Sequence, residues 1–535
     1  MSASEAARPR HFAELVKRQC EIHPELPVLT FVDIDTFGQF QSEIRTFPDL
    51  LKNAERLAVW LRNAGVGRSD RFGLMLQNHP EFVEATIAAA MLGATFVPID
   101  PRSVGSKLSY MLGFVEAKAV IAGDYAVDAI MAVADEIPAL RNVLVVGSGA
   151  VARSAGRVKL KTSHEVLSAP VPSGLEHQEV DPDAPMFMMF TSGTTSMPKA
   201  VVRTHRAHMK GLKGLRALGV TPDDVLYTGL PLSHINAQST LGMALAMPQR
   251  AVISRRFTKS RLWDVCREHG CTVFTLLGGM IPEIYSVEGT PRDAENPVRL
   301  IIASGMPEKL WDQYRRRFDV TITEVYGSTE AGGVLINREG EGPAGSMGKP
   351  PKTMEAAILD EYGRPCPPGI IGELCFRPME GAPAPVTYFK NRSASEEKVA
   401  GGWFRTGDMA RTDKDGWFYF CHRKGGGVRR NGDFVNTTLV ETVLASCPYV
   451  NDVFVYGVEG PDNVAGEKML VAAIVLAGDG SIEQVADWAS GRMQKNEQPE
   501  IWQELSSIPK TVSEKPIERE CIALLREHGL VPENA

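Results

Sequence analysis

The stretch T-S-G-T-T-S-M-P-K, residues 191–199, decides how the rest of this 535-residue chain is interpreted. It follows the apolar segment Met186 to Phe190, which predicts a strand. Its five hydroxyl residues, one glycine and closing Lys199 supply short donors, close backbone approach and a positive charge, as phosphate oxygens require. Pro198 precedes the lysine where a Walker loop has glycine, so the stretch is not of that type. A Ser/Thr-rich turn without a ligand is the alternative interpretation.

Strand and helix patterns alternate on both sides of this stretch. Apolar residues at helical spacing after Pro48-Asp49 predict a helix over 48–63, and a further helix is predicted from about Pro80 to Leu92. Strands are predicted at Phe72 to Met75 and at Ala94 to Ile99. The alternation recurs around residues 119–145, 186–230, 251–276 and 299–325. It indicates mostly parallel sheets with helices on both faces.

The sequence pattern changes near residue 341, from where short segments typical of β-strands alternate with Gly and Pro turns. Gly425 to Gly427, flanked by basic residues, are typical of a hinge or linker. The predicted fold class is therefore α/β. A large N-terminal domain, residues 1–424, combines mostly parallel sheets flanked by helices with a β-rich subdomain at about 341–424. A small mobile α+β C-terminal domain follows at 425–535.

Composition excludes several classes of protein. A net charge of -7 without a Lys/Arg-rich block predicts no nucleic-acid partner. The polar N-terminus and the lack of a long apolar run predict neither a signal peptide nor a transmembrane segment. The eight cysteines form no C-x-x-C pair or Cys/His cluster, so we expect reduced thiols rather than a zinc site. We expect a cytoplasmic protein, with a homodimer left open.

Further segments, in matching order, resemble motifs of the adenylate-forming superfamily, which includes acyl-CoA synthetases, peptide-synthetase adenylation domains and firefly-type luciferases. The resemblance runs from roughly residue 30 to the C-terminus. The stretch at 191–199 resembles the loop over the ATP β- and γ-phosphates, with Ser196 and Ala200 at the usual glycines. The other matching segments are S-G-M-P (304–307), Y-G-S-T-E (326–330), W-F-R-T-G-D (403–408), Arg423 and P-K-T-V-S-E-K (509–515), where Glu514 replaces a glycine.

The resemblance implies a role for each motif residue. Tyr326 stacks on adenine, Thr329 contacts the α-phosphate and Glu330 holds Mg²⁺. Asp408 accepts the ribose hydroxyls, Arg423 also reaches the ribose, and Lys515 completes the adenylation site. Further residues implied in binding ATP or coenzyme A are Thr191, Ser192, Gly193, Thr194, Thr195, Lys199, Ser304, Gly305, Met306, Gly327 and, on the pantetheine path, Gly432.

The implied reaction has two steps. A carboxylate attacks the α-phosphorus of ATP and pyrophosphate leaves, and a thiol then takes the acyl group from the acyl-adenylate. The resemblance implies that the C-terminal domain swings at a hinge after Arg423, withdrawing Lys515 for the second step. Gly425, Leu439 and Asn431-Gly432 depart from the family pattern in this region. These departures concern the second half-reaction and not the first.

The sequence indicates the carboxylic acid substrate less specifically than it indicates the nucleotide. The segment Leu230 to Gln238 resembles the border of the acyl pocket, with His234 close to the carboxylate. A loop histidine that caps a helix is the alternative. Thr275 to Met280 and Gly332-Gly333 are expected to supply other walls. The pattern resembles most closely the crotonobetaine/carnitine-type CoA ligases.

We therefore expect an AMP-forming acid:CoA ligase for a small-to-medium or unusual carboxylic acid, with ATP, Mg²⁺ and coenzyme A as cofactors. A stand-alone adenylating enzyme that loads a carrier protein is the first alternative. A degenerate nucleotide-binding regulator, suggested only by Ser196, Gly425 and Leu439, is the second.

The Lys515→Ala variant is expected to lose acyl-adenylate formation and to keep thioester formation from supplied acyl-adenylate. The charge of this lysine stabilises the reaction only while pyrophosphate departs. Pyrophosphate release and CoA acylation, measured separately, check the expectation. Equal loss in both half-reactions would contradict a model with two domain arrangements.

Overall fold

The computed structural model describes residues 9–147, 154–171, 179–191, 198–212, 214–277, 280–424, 428–430, 433–460, 467–509 and 516–531. It confirms the expected architecture of a large α/β unit, a β-rich unit and a small α+β unit. The domain boundary predicted after residue 424 and the hinge at 425–427 adjoin or lie outside the described residues, and they stay predictions. Within these ranges, no helix has the length and apolar character needed to cross a membrane.

The large unit contains strands and helices in alternation. Its strands are β1 (Leu29–Ile34), β2 (Phe40–Arg45), β3 (Arg71–Met75), β4 (Thr95–Pro98), β5 (Ala119–Gly123), β6 (Asn142–Val146), β7 (Ser154–Ala155), β8 (Val158–Thr162), β9 (Pro185–Thr191), β10 (Lys199–Thr204), β11 (Leu226–Thr228), β12 (Ala251–Ser254), β13 (Val273–Leu277), β14 (Leu300–Ser304), β15 (Thr321–Gly327) and β16 (Val334–Asn337). Its helices are α1 (Phe12–Ile22), α2 (Phe47–Asn63), α3 (Pro80–Leu92), α4 (Gly105–Phe114), α5 (Val127–Val133), α6 (Ser163–Leu167), α7 (His205–Gly211), α8 (Ile235–Ala246), α9 (Leu262–His269), α10 (Met280–Tyr285) and α11 (Glu308–Phe318).

Two mixed sheets organise this unit. Among the described residues, the first has the order β16-β15-β14-β13-β11-β12-β1-β2, and the second has the order β10-β9-β4-β3-β5-β6-β8-β7. The inner strands of both sheets are parallel, and β2, β16, β7 and β10 add antiparallel edges. The predicted parallel character is therefore confirmed in the interior of both sheets.

Helix α3 lies in the core that both sheets share. Every residue from Pro80 to Leu92 except Glu81 is buried, whereas α2 buries only one face. Its alanine-rich sequence gives the helix small side chains. Pro80 begins the helix, and Gly93 ends it in the left-handed conformation at φ 63°. Helix α2 matches the predicted 48–63 closely, because Thr46 and Asp49 form a capping box that fixes its start.

The segment 186–230 differs from the predicted strand-helix-strand order. Strands β9 and β10 first form an antiparallel hairpin in which Thr191 pairs with Lys199, and helix α7 comes only afterwards. Apolar periodicity reports that a segment is a strand but not the direction of its pairing. The predicted phosphate loop therefore joins two paired strands, although residues 192–197 themselves lie outside the described part of the chain.

The β-rich unit is an antiparallel sheet in the order β17-β18-β19-β20, with one short helix beside it. Its elements are β17 (Met354–Leu359), β18 (Gly372–Pro378), α12 (Arg392–Lys398), β19 (Phe404–Thr412) and β20 (Phe418–Arg423). The C-terminal unit contains β21 (Val428–Arg430), β22 (Asp433–Val435), α13 (Thr437–Ala445), β23 (Val450–Glu459), β24 (Lys468–Leu476), α14 (Ile482–Ser490), β25 (Ile501–Glu504) and α15 (Glu518–Glu527).

Gly332 and Gly333 lie directly on rings of the β-rich unit. A Cβ atom on Gly332 would stand 2.2 Å from the Phe404 ring, and one on Gly333 would stand 2.1 Å from the Phe376 ring. Both phenylalanines are almost fully buried, so neither ring can move away without disturbing its neighbours. Glycine at these positions therefore brings the segment after β15 into contact with the β-rich sheet. Their predicted role in the acyl pocket stays a prediction.

The Gly333→Ala variant is expected to destabilise the protein by about 1–3 kcal/mol, because the added methyl overpacks the Phe376 contact. The urea midpoint, followed by tryptophan fluorescence, should fall. Gly113→Ala in α4 is the matched control, since a Cβ there has nothing within 4 Å. Equal midpoints for the two variants would show that the contact tolerates a methyl group.

Candidate active site

Several predicted site segments meet at the carboxyl edge of the first sheet. His234 follows β11, Ser304 to Met306 follow β14, and Tyr326 to Glu330 include the end of β15. Strands β11, β13, β14 and β15 are parallel neighbours, so the segments after them emerge at one edge. This edge is the usual ligand-binding position in open α/β sheets.

The turn after β14 is held by a buried carboxylate. Glu324 of β15 accepts the backbone N–H groups of Gly305 at 2.5 Å and Met306 at 2.9 Å. Ser304 Oγ donates to the carbonyl of Val325 at 2.6 Å. Gly305 has a φ of +93°, a conformation that suits glycine. The segment Ser304 to Met306, predicted to bind ATP, is thus fixed to β15 by the Val325 carbonyl and by Glu324, which no motif indicated.

Glu324 is an unusual acid. Burial raises its pKa to about 7, although the two backbone donors and the more distant Arg429 favour the charged form. Its side chain is almost completely inaccessible to solvent. The desolvation cost of an inaccessible carboxylate exceeds the gain from two hydrogen bonds, which explains the direction of the shift.

Tyr326 and Asp408 join the first sheet to the β-rich unit. The Tyr326 hydroxyl donates a hydrogen bond to Asp408 Oδ2, and the Tyr326 ring stacks on Phe376 with centroids 6.1 Å apart. Asp408 is buried in β19 and pairs across the sheet with the backbone of Arg423 in β20. Two residues predicted to bind adenine and ribose are therefore in contact, and the Arg423 backbone is adjacent to them. The Arg423 side chain lies outside the described part of the structure.

Glu330 faces a tyrosine and a lysine from the β-rich unit. The Tyr388 hydroxyl donates to Glu330 Oε1 at 2.7 Å, and Lys398 Nζ lies 3.9 Å from the same oxygen. Lys398 also donates to the carbonyls of Arg405 and Thr406, both at 2.9 Å. The Glu330 side chain is only 5% exposed, and it faces a hydroxyl donor and an ammonium group. The motif did not indicate either partner.

Lys199 approaches the same tyrosine from the phosphate hairpin. Its Nζ lies 5.5 Å from the centroid of the Tyr388 ring, and residues 387–389 pair with β10 through Val201 and Val202. Tyr388 therefore contacts Glu330 through its hydroxyl and Lys199 through its ring. The predicted phosphate-binding lysine and the predicted metal ligand belong to one cluster, which no local motif revealed.

His234 occupies the N-cap position of α8, as the alternative interpretation has it, but its side chain makes no capping hydrogen bond. The loop before it is anchored by Asn78, whose side chain donates to the carbonyls of Leu230 and Ser254 and accepts from the N–H of Leu232. A rigid loop thus presents His234 at the carboxyl edge. Its contact with an acid stays a prediction.

The remaining predicted residues divide between the two halves of the site. Thr191 and Lys199 are paired at the loop end of the β9–β10 hairpin, while Gly327 ends β15 and Thr329 lies half-buried beside Glu330. The residues predicted to bind ligands that lie outside the described ranges are Ser192, Gly193, Thr194, Thr195, Gly432 and Lys515.

Comparison with known proteins gives the family. The family described as AMP-binding enzyme matches residues 16–381, and the AMP-binding enzyme C-terminal domain matches residues 439–515. The chain belongs to the AMP-binding enzyme family. The superfamily resemblance inferred from the motifs is therefore confirmed.

Curated relatives of this AMP-binding enzyme include two kinds of CoA ligase. It is 30% identical to the medium/long-chain-fatty-acid–CoA ligase FadD17 of Mycobacterium tuberculosis, over 94% of this chain and 96% of the relative. It is 26% identical to the crotonobetaine/carnitine–CoA ligase of Salmonella typhimurium, over 89% of this chain and 92% of the relative.

Solved structures share its fold. A double mutant of the o-succinylbenzoate CoA synthetase of Bacillus subtilis, bound to the product analogue OSB-NCoA, has a TM-score of 0.77 at 23% identity over 95% of this chain and 98% of the other. The same synthetase in complex with the acyl-adenylate OSB-AMP has a TM-score of 0.62 at 22% identity over 95% and 97%.

The Glu324→Gln variant is expected to change how stability depends on pH. The folded pKa of Glu324 is about 7 and its ordinary value is 4.5, so the folded enzyme binds the extra proton between these limits. The free energy of unfolding of the unmodified enzyme should fall, relative to the variant, by up to about 3 kcal/mol as pH rises from 4.5 to 7.

Urea unfolding at several pH values measures this difference. Glu84, another buried acid with a pKa near 7, is present in both proteins and cancels. Parallel pH profiles for the two proteins would contradict the shifted pKa.

Proposed function

We propose that this enzyme is an AMP-forming acid:CoA ligase. In the first step a carboxylate oxygen attacks the α-phosphorus of ATP, the bond to the β-phosphate breaks, and pyrophosphate leaves with the bonding electrons. In the second step the thiolate of coenzyme A attacks the acyl carbon and AMP leaves. Two contacts carry the proposal, because they bring together residues predicted to bind the base, the ribose and the phosphates of ATP. They are the contact of Tyr326 with Asp408 and that of Glu330 with Tyr388.

The first contact supports a nucleoside site. Asp408 places a buried carboxylate, an acceptor suited to ribose hydroxyls, beside the Tyr326 hydroxyl, and the Tyr326 ring offers a flat face to the base. Glu324 positions the turn at Ser304 to Met306 that closes the other side of the base. These residues bind and orient the nucleotide, and none of them takes part in the chemistry.

The phosphate half of the site supplies charge. No proton is removed in the first step, so its rate depends on positioning and on the stabilisation of developing negative charge. Lys199 and Thr329 are the donors for the phosphates, with Lys515 as a predicted third. Lys398 lies near the Glu330 carboxylate and donates to the backbone carbonyls of Arg405 and Thr406. Its proposed role is to position Glu330 and not to contact the substrate.

The residues around Glu330 fit Mg²⁺. Within the described residues, no group of three or more acidic, His or Cys side chains could hold a metal ion alone. Magnesium is commonly held by one or two carboxylates together with substrate phosphates, and Glu330 supplies a carboxylate oxygen at this position. The ion, when bound, neutralises charge on the phosphates during displacement.

The substrate class follows from the relatives. We propose a monocarboxylic acid whose carboxylate lies near His234 and whose tail lies near β13 and α8. Fatty acids and crotonobetaine or carnitine, named for the relatives, are the first acids to test. Eight free cysteines in the described residues support a reducing compartment, the cytoplasm. A homodimer stays a prediction.

We also assign the described domain arrangement to the second step. The higher TM-score against the synthetase bound to its CoA product analogue, compared with the same synthetase bound to its acyl-adenylate, supports this assignment. Both comparisons cover 95% of this chain, so the difference does not reflect coverage.

A panel of acids assayed with ATP and CoA tests the proposed function. The panel contains fatty acids of graded length, crotonobetaine, carnitine and aromatic acids. Pyrophosphate release and CoA consumption are measured for each acid. An accepted acid should consume equal amounts of ATP and CoA. Pyrophosphate release without loss of CoA would indicate an enzyme that loads a carrier protein, and no release with any acid would indicate a regulator.

The Glu330→Gln variant is expected to lower turnover severely, by about a hundredfold or more, because a neutral amide is a poor Mg²⁺ ligand. Glu396→Gln, in an exposed ion pair with Arg392, is the control for loss of a carboxylate. Steady-state turnover at several Mg²⁺ concentrations is the measurement. Normal turnover at ordinary Mg²⁺ would mean that another carboxylate holds the metal.

A further inference from the structure

A polar contact joins the C-terminal unit to helix α4 of the large unit. Lys107 forms an ion pair with Glu497 and donates to Gln494 Oε1 at 3.1 Å. Gln494 Nε2 donates in turn to the buried Ser103 Oγ at 2.7 Å. The Gln494 N–H donates to the second Glu497 oxygen at 3.1 Å, which fixes the carboxylate towards the lysine. Each of the four side chains thus has a defined partner across or within the contact.

The side chains of this contact are largely shielded from solvent. The Lys107 side chain is 21% exposed and the Glu497 side chain 12%, so the charges attract each other more strongly than in an exposed pair. Gly105, at the start of α4 with φ +57°, would bring a Cβ to 3.2 Å from the carbonyl oxygen of Arg492. Glycine here meets two demands, a left-handed backbone and the approach of a second domain.

An apolar cleft continues the contact on the side of α13. Leu439, Val440 and Val443 line it together with Met493 and the stem of Lys107. Leu439 is one of the residues that depart from the family pattern in this region. A leucine places apolar surface against α4, where a carboxylate would stand in the same cleft as Glu497. The departure at 439 is therefore compatible with this docked arrangement.

We propose that Lys107 and Glu497 are positioning residues for the second half-reaction, because their ion pair holds the C-terminal domain in the arrangement used for acyl transfer to the thiol. The inference rests on the proposed function. It adds residues that touch neither nucleotide nor acid and that act through the placement of the domain. The pair forms only in the docked arrangement, so its loss should leave adenylation unaffected.

A charge-swap series in the full-length enzyme tests the proposal. Lys107→Glu, Glu497→Lys and the double swap are compared in two single-turnover assays, pyrophosphate release with an accepted acid and thioester formation from supplied acyl-adenylate and CoA. Each single swap should slow thioester formation about tenfold and leave pyrophosphate release within about twofold. The double swap should recover most of the thioester rate, because the ion pair is restored with its charges exchanged.

Lys118→Glu controls for charge reversal as such, since Lys118 pairs with Asp70 inside the large unit, and both of its rates should stay normal. Small-angle scattering of each variant reports the domain arrangement apart from activity, and the single swaps should broaden the distance distribution. Equal slowing of both half-reactions, unchanged rates in the single swaps or failure of the double swap to recover would overturn the inference. An unmodified enzyme that acylates no CoA would instead overturn the proposed function.

Discussion

The close approach of the segment after β15 to the β-rich sheet is the constraint on which the nucleotide half of the site depends. Gly332 and Gly333 leave no side chain between this segment and the rings of Phe404 and Phe376. That proximity puts Tyr326 within hydrogen-bonding distance of Asp408 and Glu330 within reach of Tyr388. A bulkier residue at either glycine would separate the two sheets at the point where both contacts form.

Two glutamates with buried side chains lie near this contact and differ in their roles. Glu324 and Glu330 lie on the same strand-to-turn segment, yet their surroundings differ. Glu324 contacts only backbone donors, and burial raises its pKa. Glu330 instead accepts from a hydroxyl and lies near an ammonium group. One acid therefore holds a turn, and the other is the proposed oxygen donor for a metal ion.

The sequence predicted the regular elements well where local signals are strong. The capping box at Thr46 and Asp49 and the Pro80 and Gly93 ends of α3 are local, and both helices lie where expected. The antiparallel pairing of β9 and β10 was missed because strand direction depends on partners elsewhere in the chain. Within the site, motifs identified Tyr326, Glu330 and Asp408 as candidates, and the structure places Tyr326 and Glu330 against the β-rich sheet that contains Asp408. Tyr388 and Lys398 were missed because their roles arise from contacts with Glu330, which lies 58 residues before Tyr388 in the chain.

The strand partners of β10 have a consequence for how the enzyme is made. Residues 387–389 flank this strand, and Lys390 reaches back to the carbonyl of Phe114, 276 residues earlier. On the ribosome, where N-terminal parts emerge and begin to fold first, β10 has one open edge until the β-rich unit has been synthesised. Unpaired edges are templates for aberrant pairing with other chains. The nascent large unit is thus exposed to misassembly during synthesis, before Asp408, the residue proposed to bind the ribose of ATP, has emerged.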